Sequence, residues 1–559
     1  MSESKETSRA ERLQELDKLF QTLNYTLSLE KDLHSSKCKS VGQALAWIGS
    51  KLDLTLTPDH ISLRGVKLMF RKVRCLHKLR LNDLMITRLA KALRTGRQCA
   101  PVTVDNLSLE INSAGRSPRA LSRVLSCLAL LLRLWTVHCM DLSSCSIESH
   151  SLIILLSLPR PFKLRLHTGA IQQLVQQVSE AEDKEIVKSF FDKVGGDLSS
   201  CTLTQEVLLN LLQHHCGPVT VDYRKCEIGE KHTVELLPLL DKLRFQRPTP
   251  GFILSIIRKI YQTRSPNYVC SLLRSTENCL NLTTRDLDTA DFAALLYILQ
   301  HSHGVKLNLM WTSTPEGALE RVVPLLSNVS QLSVDRQQLL RMLHCSAASD
   351  VQQGASLALL QALQHRLDFS CSSAMDLTDD TQEVPMMHLR TEDCSVIAMV
   401  IGISKSTRTQ LTVLDCHVEE AGLEHLFKVL DNVTLRCSKL QLLQFLALLS
   451  VGSESECVRR AKYLCLALGK EVDLSNTVLD QRACGTLALL LEYSEGLSEL
   501  DLSHCQLTDT CLQLLLPHLH KTAVLDLSDN SITDIGAEQI NSIVHATSSI
   551  LTVSFLPTL

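Results

Sequence analysis

Short runs in which two apolar residues flank one polar residue recur along the chain. Each is followed by a Cys or Asn and then by another apolar residue. The clearest copies are Leu500-Asp501-Leu502, with Cys505 and Leu507 behind it, and Leu525-Asp526-Leu527, with Asn530 and Ile532. The same frame fits from Met140 (Cys145), Gly196 (Cys201), Val221 (Cys226) and Leu411 (Cys416). Weaker copies keep the apolar positions and lose the Cys or Asn; they start at Leu54, Leu79, Val102, Leu164, Leu243, Leu280, Leu307, Leu332, Leu367, Met387, Val433 and Val472. From Leu54 to Leu525 this makes about 18 units with a mean step of about 28 residues, the period of the longer leucine-rich repeats.

Alternation at period two predicts a short strand with its apolar residues inward and the intervening polar residue outward. The Cys or Asn is predicted to turn inward where the chain leaves the strand. A helical stretch then follows, as with Leu512, Leu515, Leu516 and Leu519, or Gly536, Ile540 and Ile543, whose three-to-four spacing is that of an amphipathic helix. One strand and one helix cannot bury their own apolar faces, so stacking of units must supply the core. The expected fold is α/β: a curved leucine-rich-repeat solenoid, parallel strands on the concave face and helices on the convex face, over residues 52–559. Residues 1–51 lack a convincing strand frame and predict a helical cap or linker, with Leu13, Leu16, Leu19, Phe20 and Leu23 on one helix face.

The spacing is uneven. Long steps follow the units at Val102, Leu164, Leu243, Leu332 and Val433, and each next unit opens with Asp141, Asp197, Asn281, Asp368 or Asp473. The extra residues, such as 174–194 and 454–469, predict longer helices.

Composition sharpens this reading. The 559 residues are 45% apolar but only 4% aromatic, and Leu alone is about one residue in five, which suits many thin layers better than a few large cores. A formal charge of -3 gives no basic face for nucleic acid. No run of about 20 apolar residues predicts a membrane span, and the polar N-terminus, MSESKETSRAERLQ, predicts no signal peptide. A cytoplasmic protein is expected, in which the 21 Cys are thiols; no C-x-x-C pair occurs.

Enzyme signatures are absent: no G-x-x-x-x-G-K-[ST], G-x-S-x-G, H-E-x-x-H or G-x-G-x-x-G occurs. No catalytic activity, cofactor, metal or small-molecule substrate is therefore expected. His214, His215 and Cys216 adjoin one another without a matched second pair, so packing or surface roles are expected of them. Cys145, Cys201, Cys226, Cys416 and Cys505 should be buried, inert thiols, and reactive ones should lie off the frame, as at Cys38 or Cys99.

Function should reside on the outward strand positions. These read Arg80, Thr103, Asp141, Arg165, Asp197, Asp222, Arg244, Asn281, Asn308, Ser333, Asp368, His388, Thr412, Thr434, Asp473, Asp501 and Asp526. Acidic residues gather as Asp141, Asp197 and Asp222, and again as Asp473, Asp501 and Asp526, a patch suited to a basic partner. Asp between strand leucines is also a framework choice in such repeats. Trp311 could anchor a partner, and Trp135 is placed before the Met140 strand; packing at a junction is the alternative for both.

The segments LSELDLSHCQLTDTCLQLLLPHL and AVLDLSDNSITDIGAEQI resemble ribonuclease-inhibitor-type leucine-rich repeats, as found at the C-terminal end of nucleotide-binding leucine-rich-repeat immune receptors. The resemblance implies a horseshoe scaffold for protein recognition, with innate immune signalling as its setting. It does not carry over nucleotide-driven switching, because no phosphate loop is present. The expectation is a non-enzymatic protein-interaction scaffold, with no nucleic acid or membrane as partner. The alternatives are a substrate receptor of a ubiquitin ligase, although residues 1–51 lack a Leu-Pro F-box opening, and an activator of a small GTPase, although no long acidic tail follows the last unit.

Overall fold

The computed structural model describes residues 17–48, 52–95, 102–110, 118–145, 147, 149–229, 233–348, 352–370, 386–404, 407–546 and 552–554. The chain forms two compact units, one of residues 1–249 with 274–276 and the other of 250–273 with 277–559. Each is α/β, with every pairing between its strands parallel.

In the first unit, strands β1 (Thr26–Leu29), β2 (Asp53–Leu56), β3 (Cys75–Asn82), β4 (Thr103–Glu110), β5 (Thr136–Leu142) and β6 (Lys163–Leu166) pair in chain order into one six-stranded sheet. Helices separate them, among them Ser35–Ile48, Leu63–Phe70 and Asp83–Arg94. Two of these start on side-chain caps: Ser62 Oγ accepts from Gly65 N at 3.0 Å and Asn82 Oδ1 from Met85 N at 2.9 Å. The inward row of the sheet, Leu54, Leu79, Leu107, Met140 and Leu164, is almost completely buried, as is the parallel row Leu56, Leu81, Leu109 and Leu142. Neighbouring helices approach closely at Gly42, where a Cβ would stand 2.5 Å from the Met69 carbonyl oxygen.

Strand β1 lies within the segment expected to be a cap. Its Leu27 pairs with Leu54 and its Ser28 with Thr55, so residues 26–48 supply a strand and helix of the same kind as those that follow. Leu27-Ser28-Leu29 is short and carries no Cys or Asn behind it, which hides it in the sequence.

The unit ends with β7 (Leu203–Thr204), β8 (Val219–Asp222), β9 (Cys226–Glu227) and β10 (Leu243–Gln246). Strand β8 pairs with β10, β7 with β9, and Asp197 bridges to Thr220. Two-strand elements such as β7–β9 form a second, shorter line of pairing about six residues beyond the first, also seen at Leu33 with Ile61, Asp286 with Ser313, and Thr508 with Ser531.

Among its described residues the second unit holds three separate sheets on the main line: β11 (Cys279–Asn281), β12 (Val305–Asn308) and β13 (Val329–Ser333); β14 (Arg366–Asp368), β16 (Thr409–Thr412) and β18 (Val433–Arg436); and β19 (Glu471–Asp473), β20 (Leu497–Asp501), β21 (Thr522–Asp526) and β22 (Thr552–Ser554). Strands β15 (Met387–Leu389) and β17 (Cys416–Val418) form a pair on the second line. The Met387 copy is therefore a continuation of the unit begun by β14.

Three further copies sit in a different register from that expected. Leu79 pairs with Leu107, not Val102; Leu243 pairs with Val219, not Val221; Thr412 pairs with Arg436, not Thr434. The outward neighbours become Ser108, Thr220 and Arg436. In each case two apolar-x-apolar frames are available, separate in Val102-Thr103-Val104 and Leu107-Ser108-Leu109 and overlapping in Val219-Thr220-Val221 and Val221-Asp222-Tyr223, and period two alone cannot choose between them.

The long steps hold two helices in series instead of one longer helix: Thr168–Glu180 with Lys184–Val194, Pro250–Thr263 with Pro266–Ser275, Arg336–Ala348 with Gln352–Ala362, and Lys439–Ala447 with Glu454–Ala467. No pairing joins β13 to β14 or β18 to β19, and β6 is not continued by β7 or β8. A helix is about 10 Å wide while paired strands lie about 4.8 Å apart, so a second helix layer spreads the strands beyond backbone reach. The step from β4 to β5 contains the single helix Pro118–Leu134 among its described residues, and there the pairing continues.

Candidate interaction face

The outward Asp residues share one local device. Asp141 Oδ1 accepts from the backbone N–H of Ser143 at 2.9 Å and from its hydroxyl at 2.6 Å. Asp368, Asp473 and Asp501 do the same with Ser370, Ser475 and Ser503, while Asp197 and Asp526 accept the N–H of Ser199 and Ser528 at 3.0 and 2.9 Å. Each carboxylate closes the turn at its strand's end with one oxygen.

Behind several of these turns a second device ties successive repeats together. The Cys145, Cys416 and Cys505 thiols donate to the carbonyls of Leu109, Phe369 and Leu474 at 3.2, 3.2 and 3.1 Å, each in the preceding unit. Asn530 Nδ2 donates to Leu502 O at 2.7 Å, and its Oδ1 accepts from Cys505 N and Leu507 N at 3.0 Å each. Thr312 fills the same place, donating to Leu282 O at 2.9 Å. It is neither Cys nor Asn and so lies outside the sequence frame, although a hydroxyl four residues past Asn308 meets the same requirement. Burial raises the thiol pKa at Cys201 and Cys505 and pushes Cys226 up to about 12, with Asp222 adding to the shift at Cys226. Cys226 itself is half-buried. Cys38, expected off the frame as a reactive thiol, is fully buried and its pKa is raised by that burial. Cys99 lies outside the described residues.

The expected acidic groups fare differently. Asp473, Asp501 and Asp526 are adjacent in one row of the β19–β21 sheet. Two residues back on the same outward side, Glu471 pairs with Glu499, and both are exposed. The sequence frame began after these two and missed them. Lys439 Nζ stands 2.9 Å from Asp473 Oδ1. Burial raises the Asp473 pKa, but the hydrogen bonds from Ser475 and Lys439 outweigh it and leave the group below its ordinary value.

Asp141, Asp197 and Asp222 form no such row. Asp141 sits between Ser108 and Arg165 in the six-stranded sheet, and Asp197 bridges to Thr220. Asp222 is only 6% exposed, caps a short 3-10 helix through Arg224 N at 3.1 Å, and lies 3.8 Å from Arg247 Nη1. Its expected exposed place is corrected to a buried one: the two-residue shift puts it at the end of its strand, where it turns in to cap the helix that follows.

Trp311 is half-buried, with φ +53° and its Nε1 enclosed. Trp135 is 1% exposed and packs on Phe70 with ring centroids 5.5 Å apart. His215 stacks on Phe191 at 3.8 Å, while Cys216 is exposed. Among the described residues no three His, Cys, Asp or Glu side chains converge as a metal site, and no helix is long and apolar enough to cross a membrane.

Neither protein-family models nor curated proteins match this chain.

Proposed function

We propose that the chain is a leucine-rich-repeat solenoid of ribonuclease-inhibitor type that works as a non-enzymatic protein-interaction scaffold, and that the β19–β21 sheet receives a basic partner. The observation that carries this reading is the register of Glu471 with Glu499 beside Asp473, Asp501 and Asp526, five carboxylates on one exposed face. One oxygen of each Asp is fixed by a backbone or Ser donor, so the row is held without a partner and needs little ordering on binding. A like-signed row raises the local potential and speeds encounter with a cationic surface.

The units tied by Cys, Thr or Asn to the preceding carbonyl, and their chain-order parallel pairing, support the repeat reading. A cytoplasmic, innate immune setting belongs to the same proposal, from the resemblance of the last units.

Glu471→Lys with Glu499→Lys tests it, because neither side chain closes a turn. Affinity capture followed by mass spectrometry should show loss of the basic proteins bound by the wild type, with an unchanged melting temperature. The same partners captured by both proteins would overturn the acidic-face reading.

A further inference from the structure

The second line of pairing places two histidines side by side. Met387 pairs with Cys416, His388 with His417 and Leu389 with Val418, so both imidazoles leave the β15–β17 pair on the same exposed side. Their ring centroids are 5.2 Å apart and the planes are inclined by 49°. No hydrogen bond or ion pair engages either ring among the described residues. Flanking residues on their inner side, Leu389, Cys416 and Val418, are buried, so the backbone beneath the pair is packed.

A transition ion bound by imidazole nitrogen at about 2.0 to 2.1 Å lies about 3.2 Å from the ring centre. Two such rings at a roughly tetrahedral angle would have centres about 5 Å apart, which is the separation already present. The geometry points to a bis-imidazole chelate for a divalent transition ion, held by His388 and His417 with water in the remaining positions. Imidazole suits Ni²⁺, Cu²⁺ and Zn²⁺ and discriminates against Mg²⁺ and Ca²⁺, which prefer oxygen. Glu419, two residues past His417, is committed to Thr391, accepting from its N and Oγ1 at 2.7 Å each, and is not counted as a ligand.

Ni²⁺ is the probe of choice, since exposed thiols such as Cys216, Cys270 and Cys279 would compete for softer ions. Calorimetric titration of the full chain, with those three thiols changed to Ser, should show one Ni²⁺ per chain that is lost in His388→Ala and also in His417→Ala. Circular dichroism should be the same for all variants, because both side chains are exposed. Mg²⁺ should give no heat at this site. Unchanged stoichiometry and affinity in either single variant would overturn the chelate, since independent histidines would then account for any binding.

Discussion

The six-stranded sheet of the first unit and the terminal sheet of the second are built from the same strand, turn and helix, yet one outward face is mixed in charge, with Arg80 paired to Glu110, and the other is acidic. On the outward rows of β1–β6, Lys78, Lys163, Arg80 and Arg165 accompany Asp53 and Asp141. Asp53 is neutralised locally, with Lys78 Nζ and His77 Nδ1 each 2.8 Å from its carboxylate. Burial raises its pKa, but these two partners outweigh burial and hold it below the ordinary value. On β19–β21 the corresponding rows carry Glu471, Glu499, Asp473, Asp501 and Asp526 and no Lys or Arg of their own, the cation at Asp473 being Lys439 from outside the sheet. A chain with a formal charge of only -3 thus segregates its charge by sheet, which composition cannot reveal.

The two regions also differ in what joins their strands. Backbone ladders run unbroken through β1–β6. Next to the two-helix steps, in the first unit as well as the second, cationic side chains also hold main-chain carbonyls. Buried Lys193 donates to Leu155, Leu156 and Leu158 carbonyls at 3.1, 2.6 and 2.7 Å at the end of the helix Ser149–Leu156, with Ser189 Oγ at 2.9 Å. Burial pulls its pKa below the ordinary lysine value, and Asp192 opposes that shift. Between β18 and β19, Arg408 Nη2 joins Val433 O and Leu466 O at 2.7 and 3.0 Å.

The largest effect is expected of Lys193→Met, which leaves three main-chain carbonyls at the end of a first-unit helix without their donor. A loss of about 3 kcal/mol is expected in urea unfolding; a change below about 0.5 kcal/mol would show that the cation is incidental. Next comes Asp291, 1% exposed, which pairs with Arg258 of the preceding two-helix step and closes a capping box with Asp288. Asp291→Asn should cost about 2 kcal/mol at neutral pH. The Arg258 hydrogen bond holds the Asp291 pKa below its ordinary value despite burial. Its contribution is therefore present above the unfolded pKa of about 4 and lost as pH falls through the lower folded value. Acid unfolding of the variant should show a correspondingly shallower loss between those two values.

Arg408→Met should cost about 1 kcal/mol, because the side chain is exposed. Its effect should appear as faster amide exchange near β18 and β19 and none in β1–β6; uniform acceleration would blur the contrast. Smallest is Glu471→Lys with Glu499→Lys, expected within about 0.5 kcal/mol in stability although it alters the charged face.

Much of this was legible in the sequence. Strands with a single possible frame, such as Met140-Asp141-Leu142 and Leu525-Asp526-Leu527, lie where their pattern placed them, and Cys145, Cys201, Cys416, Cys505 and Asn530 are buried as their spacing implied, whereas Cys226 is only half-buried. The illegible parts have physical causes. Val219-Thr220-Val221 and Val433-Thr434-Leu435-Arg436 offer alternation that several registers satisfy, and only the neighbouring strand decides. The interruption of pairing depends on two helices stacking side by side, which a step length signals but does not describe. Glu471 and Glu499 carry no motif and become a pair only through the register of β19 with β20.

The turn-closing Asp has a further consequence for engineering. Asn281 and Asn308 occupy the same position and accept the equivalent N–H, from Thr283 at 3.2 Å and Met310 at 3.1 Å, without a charge. Shape and charge are thus separable at turns whose Asp has no cationic partner, as Asn281 and Asn308 show. Exchanging Asp for Asn at 501 and 526 gives a dial on surface potential in single-charge increments, with the backbone template left in place for grafting a chosen specificity.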